Sequence, residues 1–502
     1  MFNPKGKTKS SGFLFIAVFL ITALACNRTT QMIPAPITST STPATTILNT
    51  PSPAPRSFTP GVPTATPLGT DITDPNFIKG VSEYNAKNYE EVIILMSAVI
   101  QASPNLAPPY RYRGLSFWYL KDCKSALNDF EQALSINPEY AAAWGGRGIS
   151  YSCLGNDAQA VDDFHKALAL DPSLAFVHHN LGSYYYKLGD YERSLEEHSL
   201  SVAIDPNRSV TWTARSEALT KLGRYHECID SATNAVEANP EEWPAYTSRA
   251  FCKAMLGDHI AAIDDYKVFL AHDATDAQTW YNLGYSQYHG GLIQESAISY
   301  SQTLELDPAY FQAYINRGLD YVMLERYDEA LVDYNRALEF GDIPFAYSGR
   351  GDAYYGLKIY DLAIADYEKA ISLMQGGPSS AHSYCMVALT YYEVGRYQDA
   401  LDAATISYNL NPACGGQRLL EIQARSYYAL GDYEQAILYM NKAFQMGEFV
   451  LGYYYRGIIY HDAGRYEEAL SDLNFFIASV QDEITYTKEI ADAKARLAEL
   501  MP

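Results

Sequence analysis

This sequence of 502 residues lacks the usual materials of catalysis. It has no G-x-x-x-x-G-K-[ST] phosphate loop, no H-E-x-x-H, no G-x-S-x-G and no G-x-G-x-x-G after a strand. The commonest nucleotide, zinc and acyl-transfer chemistries are therefore excluded. Seven cysteines include no C-x-x-C pair, which removes zinc knuckles and thioredoxin-like redox motifs. The ten histidines are scattered, and the adjacent His178 and His179 fall on different sides of a helix, which points to packing rather than metal binding. No enzyme, metal or cofactor is expected. Positive charge is also scarce: 37 Lys and Arg stand against 59 Asp and Glu, a net charge of −22 that falls to about −25 without Lys5, Lys7 and Lys9. That field repels phosphate backbones, so nucleic acid is excluded as a partner.

What is present is a chain that folds for most of its length, since 13% aromatic and 48% hydrophobic residues are far above the range of disordered proteins. The ends differ from the middle. Behind the three N-terminal lysines, residues 13–25 (FLFIAVFLITALA) form one apolar run that stops at Cys26. A membrane span needs about 20 apolar residues to cross roughly 30 Å of hydrocarbon, so this shorter run reads as an export signal. Ala23-Leu24-Ala25-Cys26 resembles the lipobox of bacterial lipoproteins, in which the cysteine is diacylated and becomes the new N-terminus. The family usually has Leu where this chain has Ala23, which leaves ordinary signal cleavage or an uncleaved anchor as alternatives. The resemblance implies a membrane anchor through Cys26 and a place in the bacterial cell envelope with the folded part outside the cytoplasm. Long acyl chains contribute about 0.8 kcal/mol per buried methylene, so two or three hold a protein on a bilayer without a second signal.

Residues 26–72 are rich in Thr, Pro, Ser and Ala, with Arg28 and Arg56 their only bases before Asp71. They lack the apolar area to offset ordering entropy and are expected to form a semi-stiff tether. At full stretch it would reach on the order of 100 Å.

Prolines then recur at Pro104, Pro138, Pro172, Pro206, Pro240 and Pro308, spaced by 34 residues or twice that. Within residues 175–208, Leu181, Gly182 and Tyr185 share one helical face. Gly189-Asp190 then stops that helix and caps the next, and Asp205-Pro206 ends the second. Small residues recur where two such helices approach, at Gly114, Gly148, Gly182, Gly284, Gly318, Gly351 and Gly457 and at Ala126, Ala160, Ala330, Ala363, Ala400, Ala436 and Ala469. The pattern resembles the tetratricopeptide repeat. It divides the chain into a leader (1–25), a tether (26–72), a degenerate repeat (73–106), eleven repeats (107–483) and a C-terminal capping helix (484–502). The resemblance implies an all-α, right-handed superhelical solenoid of helix-turn-helix repeats.

Arg113, Arg147, Arg249, Arg317, Arg350 and Arg456 each have an aspartate sixteen residues later, at Asp129, Asp163, Asp265, Asp333, Asp366 and Asp472. These read as architectural pairs between the two helices of a repeat. If partly exposed, each contributes about 0–1 kcal/mol. Cysteines other than Cys26 form three sequence-near sets, Cys123 with Cys153, Cys228 with Cys252 and Cys385 with Cys414. Bridging and free burial are both open readings.

In this family the first helices line a concave groove with their second, fifth, ninth, twelfth and thirteenth positions. Carried over, that places Phe176, His179, Tyr186, Tyr281, Tyr285, Tyr288, Phe345, Tyr355, Tyr392 and Tyr428 toward a partner. Tyrosine supplies area and a hydroxyl at low entropic cost, which suits a protein or peptide partner. The basic and Asn set by which chaperone adaptors of the family hold a carboxylate is not found. The expected function is a non-catalytic exported scaffold that organises an envelope complex. A surface spacer or adhesion element, or a lipoprotein that captures peptides or glycans, is the alternative.

Overall fold

The computed structural model describes residues 73–480 and 485–500, and contains twenty-five α-helices among them. The leader, Cys26 and the tether lie outside the described residues. No described helix is long and apolar enough to cross a membrane. The helices divide into two units, one ending at Ala274 and the other beginning at Thr275.

Both units are built from one hairpin, and the hairpin at Ala175–Lys187 and Tyr191–Ile204 shows why it forms. Gly189 takes a left-handed backbone, φ +78°, which ends the first helix. Asp190 then caps the second by accepting a hydrogen bond from the Arg193 amide. In four hairpins the left-handed position is held by Lys87, Lys121, Glu325 or Lys358 instead, a strained choice for a residue with a Cβ.

Between the helices of half of the described hairpins lies one large ring. Phe130, Phe164, Tyr266, Tyr300, Tyr334 and Tyr367 are all almost completely buried. Each is worth roughly 2–3 kcal/mol of apolar burial. Around Phe130 and Tyr334, space for the ring is made by glycine on both sides. A Cβ added at Gly318 would lie 2.9 Å from the Tyr334 ring, and one at Gly349 of the next hairpin would lie 2.3 Å from it. The ring is therefore shared between neighbouring hairpins, which couples them as stacked repeats require.

The six Arg–Asp pairs are formed, each with two hydrogen bonds of 2.6–2.9 Å from Nε and Nη2 to the carboxylate. The arginines are partly exposed, as expected from sequence, but the aspartates are covered more deeply. The Asp side chains are only 2–9% exposed and the Arg side chains 16–22%. Their environment is thus that of buried pairs, where loss of one partner is costly. The two Asp129 hydrogen bonds push the Arg113 guanidinium above its ordinary value, and burial pushes the Asp129 carboxyl up. Arg215 bonds Ser231 and Ser199 instead.

Two of the three cysteine sets are bridged. Cys123–Cys153 and Cys228–Cys252 have Cα atoms 6.1 and 6.4 Å apart, and each joins a second helix to the first helix of the following hairpin. The third set is not: Cys385 is a free, buried thiol. The Gly415 backbone packs directly on its sulfur, so Cys385 fills a small core site.

At the C-terminal end, the helix Thr487–Leu500 buries Ala493 and Leu497 against the last hairpin. Tyr454 donates to Asp492 at 3.1 Å, and Arg496 reaches Asp462 at 2.5 Å. It covers the end of the stack as a capping helix should.

Candidate partner-binding face

In the unit ending at Ala274, Phe176, His179 and Tyr186 are all half-buried. The Phe176 ring lies over Gly145 of the preceding hairpin, where a Cβ would be 2.7 Å from it. His179 Nδ1 is 3.1 Å from the Thr211 hydroxyl, and its ring lies 5.3 Å from that of His198. Burial, reinforced by Arg208, lowers the His179 pKa to about 4, so it is neutral at physiological pH. His198 is lowered by burial to about 3. Its neighbour His178 bonds Glu197 at 2.7 Å and the Pro172 carbonyl at 3.0 Å, which commits both ring nitrogens to packing.

In the unit beginning at Thr275 the expectation needs correction. Tyr281 is 1% exposed and Tyr288 5%. The Tyr281 ring stacks on Tyr310 at 4.8 Å, and its hydroxyl accepts a 2.9 Å hydrogen bond from Asn316. A donor on the next first helix draws this ring inward, so Tyr281 and Tyr288 are core residues. Tyr285 is half-buried, 4.4 Å from the His289 ring.

Phe345, Tyr355, Tyr392 and Tyr428 keep part of their surface. Three of these rings, like Tyr186, pack on a tyrosine five residues later, at the start of the second helix. The pairs are Tyr186–Tyr191 at 5.3 Å, Tyr355–Tyr360 at 5.8 Å, Tyr392–Tyr397 at 5.6 Å and Tyr428–Tyr433 at 5.9 Å. One edge of each ring therefore braces a turn. Burial, followed by Glu217, raises the Tyr186 pKa to about 12, and burial, followed by Asp462, raises Tyr428 to about 12, so both present neutral phenols.

The sequence reading missed a charged group on this same face. The Arg425 guanidinium sits 4.6 Å from the Tyr392 ring and 4.1 Å from the Tyr455 ring. Arg418 and Arg425 both bond Glu421, at 2.7 and 3.0 Å, and the Glu421 side chain is only 6% exposed. Tyr428 donates to Asp462 at 2.5 Å. Counted from Gln417, where the sequence pattern starts this repeat, Arg418, Glu421 and Arg425 occupy the second, fifth and ninth positions, so the same positional rule finds them once polar residues are searched. Together they form a fixed array of aromatic faces, guanidiniums and carboxylates, which is suited to a polar peptide surface. Among the described residues no group of three His, Cys, Asp or Glu could hold a metal.

Tetratricopeptide-repeat models match residues 141–174, 177–208, 311–340, 346–373 and 422–474. No curated protein matches the chain. Among solved structures, the APC/C hetero-tetramer Cut9–Hcn1 is similar at 13% identity, over 85% of this chain and 96% of that one, with a TM-score of 0.43. Yeast Tom70 is similar at 15% identity, over 84% and 95%, with a TM-score of 0.34. YrrB, a tetratricopeptide-repeat protein with an unusual peptide-binding site, is similar at 18% identity over 36% and 95%, with a TM-score of 0.34. The matched segments, set in a continuous succession of helix hairpins of the same design, are tetratricopeptide repeats.

Proposed function

We propose that this chain is a non-catalytic exported scaffold that binds a protein or peptide along the exposed face of its first helices. In this reading a lipid on Cys26 anchors it in the bacterial cell envelope, and residues 26–72 hold the repeats away from the membrane. The observation that carries the binding role is the array around Arg425, where Tyr392, Tyr428, Arg418 and Asp462 are held in place by their neighbours. Such preorganisation lowers the entropic cost of association. The apolar run that ends at Cys26 supports export and anchoring.

The test is crosslinking and capture from envelope membranes, comparing the natural chain with a Tyr392→Ala/Tyr428→Ala variant of unchanged helical content. A partner captured by the first and lost from the second supports the reading. Capture of the same proteins by both would refute a role for this face. Labelling with a radioactive fatty acid that persists in a Cys26→Ser variant would refute the anchor.

A further inference from the structure

The buried arginines form a repeated guanidinium site. In each, the arginine at the seventh position of a first helix bonds the aspartate sixteen residues on. In five of the six, Nη1 also reaches the preceding second helix, at Ser97, Thr233, Ser301, Asn335 or Asn441. The fourth and eleventh positions supply rings around it. Arg317 lies 5.9 Å from Tyr314 and 5.7 Å from Tyr321; Arg350 lies 5.3 Å from Tyr347 and 6.0 Å from Tyr354.

The hairpin beginning at Ala381 keeps this surround but not its occupant. Both rings are present, as Tyr384 and Tyr391, yet Val387 stands in place of the arginine and Ala403 in place of the aspartate. At the position of Ser97, Ser301 and Asn335, the preceding second helix offers Glu368. A cavity of about 330 Å³ lies there, lined by Val387, Ala403, Glu368, Tyr384 and Tyr391, with Asp399 and Asp402 at its acidic edge. Other hairpins without an Arg–Asp pair place a different polar group across the same gap. His178 bonds Glu197 at 2.7 Å, Gln287 accepts from Ser299 at 2.6 Å, and Gln423 bonds Thr405 at 3.3 Å.

We propose that the cavity beside Val387 receives an arginine side chain from a partner peptide, which supplies from outside the guanidinium that the other hairpins carry themselves. The rings offer cation–π faces, and Glu368, whose Oε1 accepts a hydrogen bond from the Tyr391 hydroxyl, offers its other carboxylate oxygen on the side where Nη1 points in the other hairpins. Arg396 stacks on Tyr391 at 4.2 Å, as Arg326 does on Tyr321 at 4.3 Å. Tyr321 carries Arg317 as a second cation, and the proposed guest takes that place on Tyr391. The site is separate from the first-helix face, and its test does not depend on that face.

The probe is the capped tripeptide acetyl-Gly-Arg-Gly-amide, titrated calorimetrically into the full chain. Its citrulline counterpart, of nearly the same shape but uncharged, is the control. Arginine peptide binds, and the citrulline peptide and a Glu368→Gln variant each weaken binding about tenfold or more. A Val387→Arg/Ala403→Asp variant rebuilds the internal pair; it abolishes binding and melts no lower than the natural chain. A Tyr392→Ala/Tyr428→Ala variant, which alters the first-helix face, leaves peptide affinity unchanged. The proposal is overturned by equal affinity for arginine and citrulline, by undiminished binding in a folded Val387→Arg/Ala403→Asp variant, or by no saturable binding at about 10 mM peptide.

Discussion

Arg317 grips Asp333 with two hydrogen bonds of 2.7 Å each, while its third nitrogen reaches Ser301 of the preceding hairpin at 2.9 Å. One side chain thus ties three helices together. Asp333→Ala leaves the guanidinium mostly buried and unpaired. It lowers the local unfolding free energy by roughly 3–5 kcal/mol, while Arg317→Met/Asp333→Leu recovers most of the loss. Amide hydrogen exchange in the helix Tyr327–Leu338 measures both.

Tyr334 sits between Gly318 and Gly349 with no room for a methyl group. Gly349→Ala overpacks the core and costs about 1–3 kcal/mol. Adding Tyr334→Leu restores part of it, because Gly457 already faces Leu473 at the corresponding position of another hairpin. Urea melts of the single and double variants provide the comparison.

Asp320 is fully buried, and neither carboxylate oxygen has a hydrogen-bond partner. The nearby Ser296 hydroxyl donates to the Gly284 carbonyl. Burial holds the Asp320 carboxyl well above its ordinary range in the folded chain. Folding therefore favours the protonated acid, and its contribution to stability falls as pH rises above about 4. Corresponding positions hold Ser116 and Ser150, whose hydroxyls bond carbonyls one turn back. Asp320→Ser is expected to raise stability at pH 7 by roughly 1–3 kcal/mol, with a smaller gain at pH 4. Thermal melts at the two pH values distinguish this from a gain independent of pH.

Cys228–Cys252 closes a loop for which chain entropy gives about 3 kcal/mol of stabilisation. Reductant should accelerate hydrogen exchange in the helices Tyr225–Ala238 and Trp243–Met255, and a Cys228→Ser/Cys252→Ser variant should show no further change there. Identical exchange in the natural chain with and without reductant would mean that the bridge does not support these helices.

The hairpin series was legible because its signals are local and repeated. The Gly189-Asp190 turn, the Asp205-Pro206 stop and the Arg317-to-Asp333 spacing each declare a short-range geometry, and repetition separates them from chance. Legibility failed where a single hairpin departed from the rule. Whether Tyr281 lines a face or enters the core depends on Asn316, a donor 35 residues away. The same limit hid the exposure of the Arg–Asp pairs, since spacing shows that two residues meet but not how much protein covers them. Cys385 and Cys414 share a core region, yet they are not joined to each other, because proximity in sequence does not settle which cysteines pair.

The Cys123–Cys153 and Cys228–Cys252 bridges also determine how the chain would respond to being pulled from its ends. They span sequence separations of 30 and 24 residues, and those stretches cannot lengthen however far the helices between them unravel. Roughly 180 Å of extended chain stays locked until the sulfur bonds are cut. In a force–extension trace the segment up to Ala274 would therefore release less length than its residue count implies, and reductant would return the missing part.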